Sequence, residues 1–101
     1  PKKYSLLCLD EAGQRILLQG QTLDLTRREF QLLSYFLERP GRILSRDYLL
    51  DCVWGQTSDS LDRTVDTHIK TLRAKMRDIA PQLDLIATHR GMGYSLELPG
   101  G

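Results

Sequence analysis

The chain has 101 residues, of which 41% are hydrophobic and 27% charged, a composition typical of one globular domain and not of a disordered segment. With 14 basic and 13 acidic residues the formal net charge is +1, so the chain as a whole is not strongly charged. No apolar run approaches the roughly 20 residues of a membrane-spanning helix, and two cysteines are too few for the disulfide framework of a small secreted protein.

Cys8 and Cys52 both lie in apolar surroundings, which predicts buried, reduced thiols in a cytoplasmic protein. The sequence begins with Pro1 and not with an initiator methionine, so we expect it to be part of a longer protein. No cofactor is expected.

Residues 1–25 predict a small antiparallel β-sheet. Short apolar runs at Tyr4–Leu9, Arg15–Leu18 and Leu23–Leu25 are separated by glycine and polar residues. Runs of this length between such breaks are typical of strands joined by tight turns.

A first helix is predicted to begin at Thr26. Thr26 and Glu29 have the Ser/Thr-x-x-Glu spacing of a capping box, in which each side chain accepts a hydrogen bond from the other residue's backbone N–H. Three apolar residues follow at helical spacing and form the predicted buried stripe: Phe30, Leu33 and Leu37. The Pro-Gly pair after Arg39 ends the helix.

Two more helices and a hairpin complete the domain. Ser45 is predicted to cap the second helix, with an apolar face at Leu49, Cys52 and Val53, before a polar loop. The third helix is predicted from about residue 60 to 79, and the glycine turn "RGMG" predicts a hairpin over residues 84–98. A sheet at 1–25, three helices at 26–80 and this hairpin predict an α+β winged helix-turn-helix domain spanning residues 1–101.

The third helix concentrates positive charge. Residues 62–77, "DRTVDTHIKTLRAKMR", hold five basic residues against two acidic ones. At about 100° per residue, the predicted core stripe is Val65, Ile69, Leu72 and Met76. The opposite, outward face combines small residues with cations: Arg63, Thr67, Lys70, Thr71 and Ala74, flanked by Arg73 and Arg77 on one side and by His68 and Lys75 on the other.

Such a face suits the major groove of DNA, which is about 12 Å wide and accommodates one helix. Cations there neutralise phosphates, while threonine hydroxyls and alanine can meet base edges. The predicted hairpin places Arg90 at its tip and Tyr94 just behind, and an arginine at such a tip suits the narrow minor groove. The alternative is a solvated basic helix face and a hairpin tip with one solvated charge.

These motifs resemble the OmpR/PhoB family, the DNA-binding effector domains of bacterial two-component response regulators. The resemblance covers Thr26 to Leu96 in family order. "LTRREFQLLSYFLERPGRILSRDYLLDCVWG" is similar to the family's first two helices, "DRTVDTHIKTLRAKM" to its recognition helix, and "RGMGYSLE" to its wing. The resemblance implies a four-stranded N-terminal sheet, three helices and a C-terminal wing.

The resemblance also implies the site residues. The matching DNA-contacting positions are Arg63, Thr64, His68, Lys70 and Arg73 on the recognition helix, Ser45, Arg46 and Trp54 for the DNA backbone, and Arg90 and Tyr94 on the wing. The matching loop that meets RNA polymerase comprises Gly55, Gln56, Thr57, Ser58, Asp59, Ser60 and Leu61. Thr71 departs from the family, because many relatives have two basic residues at positions 70 and 71.

The implied function is sequence-specific binding of double-stranded DNA that regulates transcription. The implied partners are RNA polymerase, a second copy held through an absent receiver domain, and a sensor histidine kinase acting on that receiver domain.

Other classes of function are weaker readings of the same residues. The two histidines lack a spaced set of cysteine or acidic partners for a metal site, and no nucleophile elbow or phosphate-binding glycine loop is present. A Cys52–histidine dyad stays open, but Cys52 lies on an apolar helix face, so we predict that the chain is not an enzyme. A protein-interaction winged helix without DNA binding would have a neutral or acidic third helix. For Trp54, packing at a helix end is the alternative to DNA contact.

Overall fold

The architecture is that of a computed structural model, which describes residues 2–4, 7–10, 12–55 and 62–97. In this part of the chain an antiparallel sheet precedes three helices, and a β-hairpin follows them. The order is that of a winged helix-turn-helix domain, which confirms the predicted fold class.

The N-terminal sheet has its strands in chain order, each antiparallel to the next: β1 (Lys2–Tyr4), β2 (Leu7–Asp10), β3 (Arg15–Leu18) and β4 (Gln21–Thr22). Alternate residues of β2 and β3 are buried in the common core, namely Leu7, Leu9, Ile16 and Leu18. One face of the sheet therefore packs on the interior of the domain, as the period of two along a strand requires.

Two of the predicted strands are wrong in detail. Tyr4–Leu9 is not one strand, because Tyr4 in β1 pairs opposite Leu7 in β2, and the sequence between them, Ser5-Leu6, contains no glycine, proline or charged residue to mark the boundary. Leu23–Leu25 is not a strand either. The Leu25 N–H bonds to the Leu23 carbonyl at 3.1 Å and turns the backbone out of the sheet, although Leu23 itself is buried.

The helices are α1 (Arg27–Glu38), α2 (Arg46–Leu49), which continues as a π-helical segment (Leu50–Trp54), and α3 (Asp62–Ile79). The predicted capping box is confirmed, since the Thr26 side chain accepts from the Glu29 N–H at 3.2 Å and the Glu29 Oε1 from the Thr26 N–H at 2.9 Å. Ser45 caps α2 as predicted, accepting from the Tyr48 N–H at 3.1 Å. Part of the predicted start of α3, residues 60–61, lies outside the described residues.

The core forms between the helices, the sheet and the hairpin. On α3 the predicted stripe is confirmed, because all four of its residues are buried: Val65, Ile69, Leu72 and Met76. On α1 the stripe is displaced, since Leu32 and Phe36 are buried together with Leu33 and Leu37, whereas Phe30 packs at the edge of the core.

The cysteine prediction holds only in part. Cys8 and Cys52 are free thiols, but each is half-buried and not fully enclosed. Within the part of the chain that the structure describes, no helix is both long and apolar enough to cross a membrane.

The predicted hairpin is confirmed as β5 (Ile86–His89) and β6 (Gly93–Leu96), hereafter the wing. The segment before α2 extends it, because Leu44 and Tyr94 exchange backbone hydrogen bonds of 2.7 and 3.0 Å. The Gly41 N–H adds a bond of 2.8 Å to the Leu96 carbonyl. The start of α2 is thus fastened to the wing before the helix begins.

Candidate nucleic-acid interface

One surface of α3 faces outward along the length of the helix. Six residues on it are exposed and are called the outer face: Arg63, Thr67, Lys70, Thr71, Ala74 and Arg77. The buried stripe lies on the opposite side of the helix. The outward orientation predicted from helical spacing is confirmed.

Arg73 fastens α3 to the wing. Its Nη2 donates to the Ile86 carbonyl at 2.8 Å and to the Thr88 hydroxyl at 2.6 Å, and its guanidinium carbon lies 5.5 Å from the centre of the Tyr94 ring. Hydrogen bonds from a charged donor to backbone and hydroxyl oxygens are stronger than neutral ones. Arg73 therefore positions the wing against α3, whereas its contact with DNA stays a prediction.

Lys75 fastens α3 to the start of α1. Its Nζ lies 2.5 Å from Oε1 of Glu29, a carboxylate that is only 2% exposed, and the Thr71 hydroxyl donates to the other carboxylate oxygen, Oε2. Burial alone would raise the pKa of Glu29, but hydrogen bonds from Lys75, Thr71 and the Thr26 N–H outweigh it and lower the pKa. Glu29 is therefore an ionised, buried acceptor on α1, in contact with Thr71 and Lys75 of α3.

The cations of α3 consequently divide into two groups. Arg73 and Lys75 are bonded within the domain, whereas Arg63, Lys70 and Arg77 form no ion pair with any side chain in the described ranges. Within the described residues, the positive charge on α3 side chains that are free to reorient toward a partner is thus that of three residues and not of five. It is concentrated on the outer face.

A junction at Asp66 joins α2, α3 and the wing. Its Oδ1 accepts the Tyr94 hydroxyl at 2.5 Å and lies 3.1 Å from Nε of Arg46. Burial, and then the hydrogen bond to Asp66, raise the pKa of Tyr94. The Tyr94 ring is only 6% exposed, so its position favours support of the wing, and direct contact with DNA stays a prediction.

Trp54 ends the π-helical segment in a cluster of rings and charge. Its ring centre is 4.8 Å from that of His68, edge to face, and the Arg28 guanidinium carbon is 5.7 Å away. The His68 Nδ1 lies 2.8 Å from the Thr64 carbonyl, which can only accept, so Nδ1 carries the proton. The packing alternative for Trp54 is confirmed, and because the ring is half-buried, a DNA contact stays a prediction.

The wing turn lies beside the start of α2. A cleft of about 170 Å³ between them is lined by Ser45, Arg46, Gly91 and Met92, among others. Arg90 and Met92 are exposed at the turn. The structure thus brings Ser45, Arg46, Arg73 and Tyr94 together where α2, α3 and the wing meet. Gly55 follows the π-helical segment, whereas the rest of the predicted polymerase loop, residues 56–61, lies outside the described residues.

Comparison with known proteins identifies this arrangement. The family described as "Transcriptional regulatory protein, C terminal" matches residues 20–96. The chain belongs to this family. Its relatives include the transcriptional regulatory protein CreB of Escherichia coli, 57% identical over 88 residues that cover 87% of this chain and 38% of CreB. The chain therefore spans well under half the length of that relative.

Solved structures of the family have the same fold. The DNA-binding domain of the response regulator AdeR, in complex with an intercistronic region, superposes with a TM-score of 0.85 at 28% identity, over 97% of this chain and 100% of that one. The Klebsiella pneumoniae RstA DNA-binding domain, in complex with the RstA box, gives 0.81 at 32% identity, over 95% of each chain. The winged-helix architecture is common to all three.

Sequence reasoning missed the residues that hold the interface of this family member together. The sequence pattern places Glu29 only in the capping box and predicts no role for Asp66 in the site. An acidic residue inside a strongly basic helix was the available signal at Asp66, because an unpaired carboxylate there would oppose the helix's own charge. Among the described residues, no group of three or more histidine, cysteine or acidic side chains could hold a metal ion.

Proposed function

We propose that this domain binds a specific sequence of double-stranded DNA and thereby regulates transcription. The outer face of α3 enters the major groove, and Arg90 of the wing reaches the adjacent minor groove. Ser45, Arg46 and Trp54 meet the DNA backbone beside the recognition helix.

One observation carries the proposal: Arg63, Lys70 and Arg77 stand exposed on one helix face without an ion pair in the described part of the chain. Small side chains, Thr67 and Ala74, lie between them and allow the helix backbone to approach a partner closely. Closely spaced cations gain most from an anionic partner of regular spacing, since each phosphate contact releases a counterion. The phosphates of duplex DNA are regularly spaced, and the major groove is wide enough to accommodate one helix.

Selection from a pool of random duplexes tests the proposal. We expect the chain to enrich a defined sequence over successive rounds, because in the proposed complex the outer face contacts base edges as well as phosphates. Recovery of an unenriched pool would contradict sequence-specific binding and would favour the alternative of a protein-interaction module.

Lys70→Ala is expected to weaken binding to the selected duplex by about 1 to 3 kcal/mol and to change the preferred base at one position. The physical reason is that Lys70, exposed near the middle of the outer face, can donate to guanine O6 and N7. Competition titrations with the four bases at each position measure both effects. Equal weakening on every sequence would assign Lys70 to a phosphate.

Arg90→Ala is expected to weaken binding mainly to sites with A·T-rich flanks. A·T-rich tracts have a narrow minor groove with strong negative potential, which attracts an inserted arginine. Titrations of duplexes that differ only in their flanks measure the effect. The same loss on A·T-rich and G·C-rich flanks would exclude the minor-groove role.

The proposal extends to the longer protein. By the OmpR/PhoB resemblance, a receiver domain phosphorylated by a sensor histidine kinase would hold two copies together, and Gly55 with residues 56–61 would meet RNA polymerase. Such a protein would act in the cytoplasm and without a cofactor. Co-purification of RNA polymerase with the full-length protein, lost on replacement of residues 56–61, tests the polymerase contact.

A further inference from the structure

We propose that Thr71 reads a base that presents an amino group in the major groove, adenine or cytosine, and that the buried Glu29 is the positioning residue that imposes this choice. The inference rests on the proposed DNA binding and adds to it the chemistry of one recognised base.

The single hydrogen of the Thr71 hydroxyl is bonded inside the domain. It is directed to Oε2 of Glu29 at 2.5 Å, with the His68 carbonyl at 3.0 Å as the other oxygen in range. Both oxygens can only accept, so the hydrogen is engaged inside the domain in either case. The bond to an ionised carboxylate is the stronger of the two.

The Thr71 hydroxyl oxygen keeps its two lone pairs for a partner. A hydroxyl oxygen has two lone pairs besides its hydrogen, and the bonds to Glu29 and His68 use neither of them. Thr71 is exposed and borders a cleft of about 290 Å³ that Thr67 and His68 also line. Any further hydrogen bond that the Thr71 hydroxyl forms with a partner on the outer face must therefore use a lone pair, so the hydroxyl can only accept.

The bases differ in the hydrogen-bond donors and acceptors that they present in the major groove. Adenine N6 and cytosine N4 are donors there, whereas guanine O6 and N7 and thymine O4 are acceptors. An acceptor-only hydroxyl pairs with the amino bases and meets the keto oxygens with two lone-pair atoms facing each other. The neighbouring cation Lys70 has the opposite preference, because an ammonium group only donates.

Glu29 is held in place for this role by two groups. Lys75 Nζ and the Thr26 N–H bond to Oε1 at 2.5 and 2.9 Å, which leaves Oε2 directed at Thr71. A neutral glutamine at this position has an N–H that can donate to the Thr71 oxygen. The Thr71 hydrogen then loses its stronger acceptor and keeps only the His68 carbonyl at 3.0 Å, which competes less well with the keto oxygen of a base, so keto bases become acceptable.

The test is a double-mutant cycle between protein and DNA. After selection of a site, the proposal expects one adenine or cytosine whose replacement by purine or 2-pyrimidinone, which lack the amino group, weakens the binding of the chain about tenfold. Thr71→Val removes the hydroxyl without changing side-chain shape and should make binding insensitive to that replacement. Thr22→Val, the same change on the exposed strand β4, serves as the control and should retain the sensitivity.

Glu29→Gln should bind the adenine and guanine forms of the site, or the cytosine and thymine forms, with less than threefold discrimination. Its circular dichroism is checked first, and if it does not fold, the Thr71→Val cycle decides. Selection of no sequence by the unaltered chain would overturn the proposed function itself. If a site is selected but the Thr71→Val chain stays fully sensitive to the removal of every amino group, only the role of Thr71 and Glu29 is overturned. The same conclusion follows if the unaltered chain prefers a keto base at one position and Thr71→Val loses that preference.

Discussion

Replacing Gly93 with alanine is expected to lower the free energy of unfolding by about 3 to 4 kcal/mol. Gly93 has a φ of +135°, and a Cβ at this position would lie 2.1 Å from the Leu44 carbonyl oxygen and 2.9 Å from Cα of Ser45. Both atoms are backbone, so they cannot rotate away as a side chain would. Relief of the clash requires separating Leu44 from the wing, which breaks its bonds to Tyr94.

Urea denaturation of the two proteins measures the loss, and Gly91→Ala is the matched control in the same turn. Gly91 also has a positive φ, +73°, but a Cβ there would meet nothing within 4 Å. We therefore expect the control to lose only about 1 to 2 kcal/mol. Equal losses for the two substitutions would show that backbone conformation, and not the contact with Leu44, determines the cost.

Replacing Glu29 with alanine is expected to lower the free energy of unfolding by about 3 kcal/mol, because it removes the buried carboxylate that pairs with a partly exposed lysine, together with half of a capping box. The Glu29 side chain is 2% exposed, and the substitution leaves Lys75 without its carboxylate. Glu38→Ala on the same helix is the control. Glu38 is about half exposed and pairs with Arg39 at 3.5 Å, so its loss should change stability by less than about 0.5 kcal/mol.

The Glu29 contribution should also depend on pH. Because folding lowers the pKa of Glu29 below its ordinary value of 4.5, the contribution is complete above pH 4.5 and is lost as the pH falls through the lowered pKa. The stability difference between the unaltered chain and Glu29→Gln should therefore shrink in acid. A difference that stays constant from neutral pH to pH 3 would contradict an ionised, hydrogen-bonded Glu29.

Local patterns in the sequence were sufficient for much of the fold. The capping box at Thr26 and the cap at Ser45 are confirmed because their partners lie three residues away in sequence. The buried stripe of α3 is confirmed because helical spacing alone determines which side chains share a face. The same spacing predicted five residues of the outer face, with Arg77 on its flank, and hence the orientation of the candidate interface.

Contacts between distant segments could not be read in this way. Arg73 and Lys75 belong to the same charged run as Lys70, yet Arg73 bonds to the wing and Lys75 to Glu29, which is 46 residues earlier. Their role depends on which elements pack beside α3, and composition does not contain that information. The charge run therefore overestimated the cations available to a partner.

The strand errors have a similar origin. Ser5 is the one polar residue between Tyr4 and Leu7, and the sequence has no glycine, proline or charged residue there to mark the turn that their pairing requires. At Leu23 the reverse holds, since a buried leucine belongs to the core without belonging to a strand. Hydrophobicity indicates burial more directly than it indicates strand boundaries.

The salt dependence of duplex binding tests most directly the central claim, that the exposed cations of the outer face meet phosphates. The logarithm of the association constant should fall linearly with the logarithm of salt concentration, and Arg63→Ala or Arg77→Ala should each reduce the slope by about 1. Arg15→Ala, which removes a side chain that is 60% exposed on β3, should leave the slope unchanged. Binding that added salt does not weaken, or a slope equally sensitive to Arg15, would contradict the account.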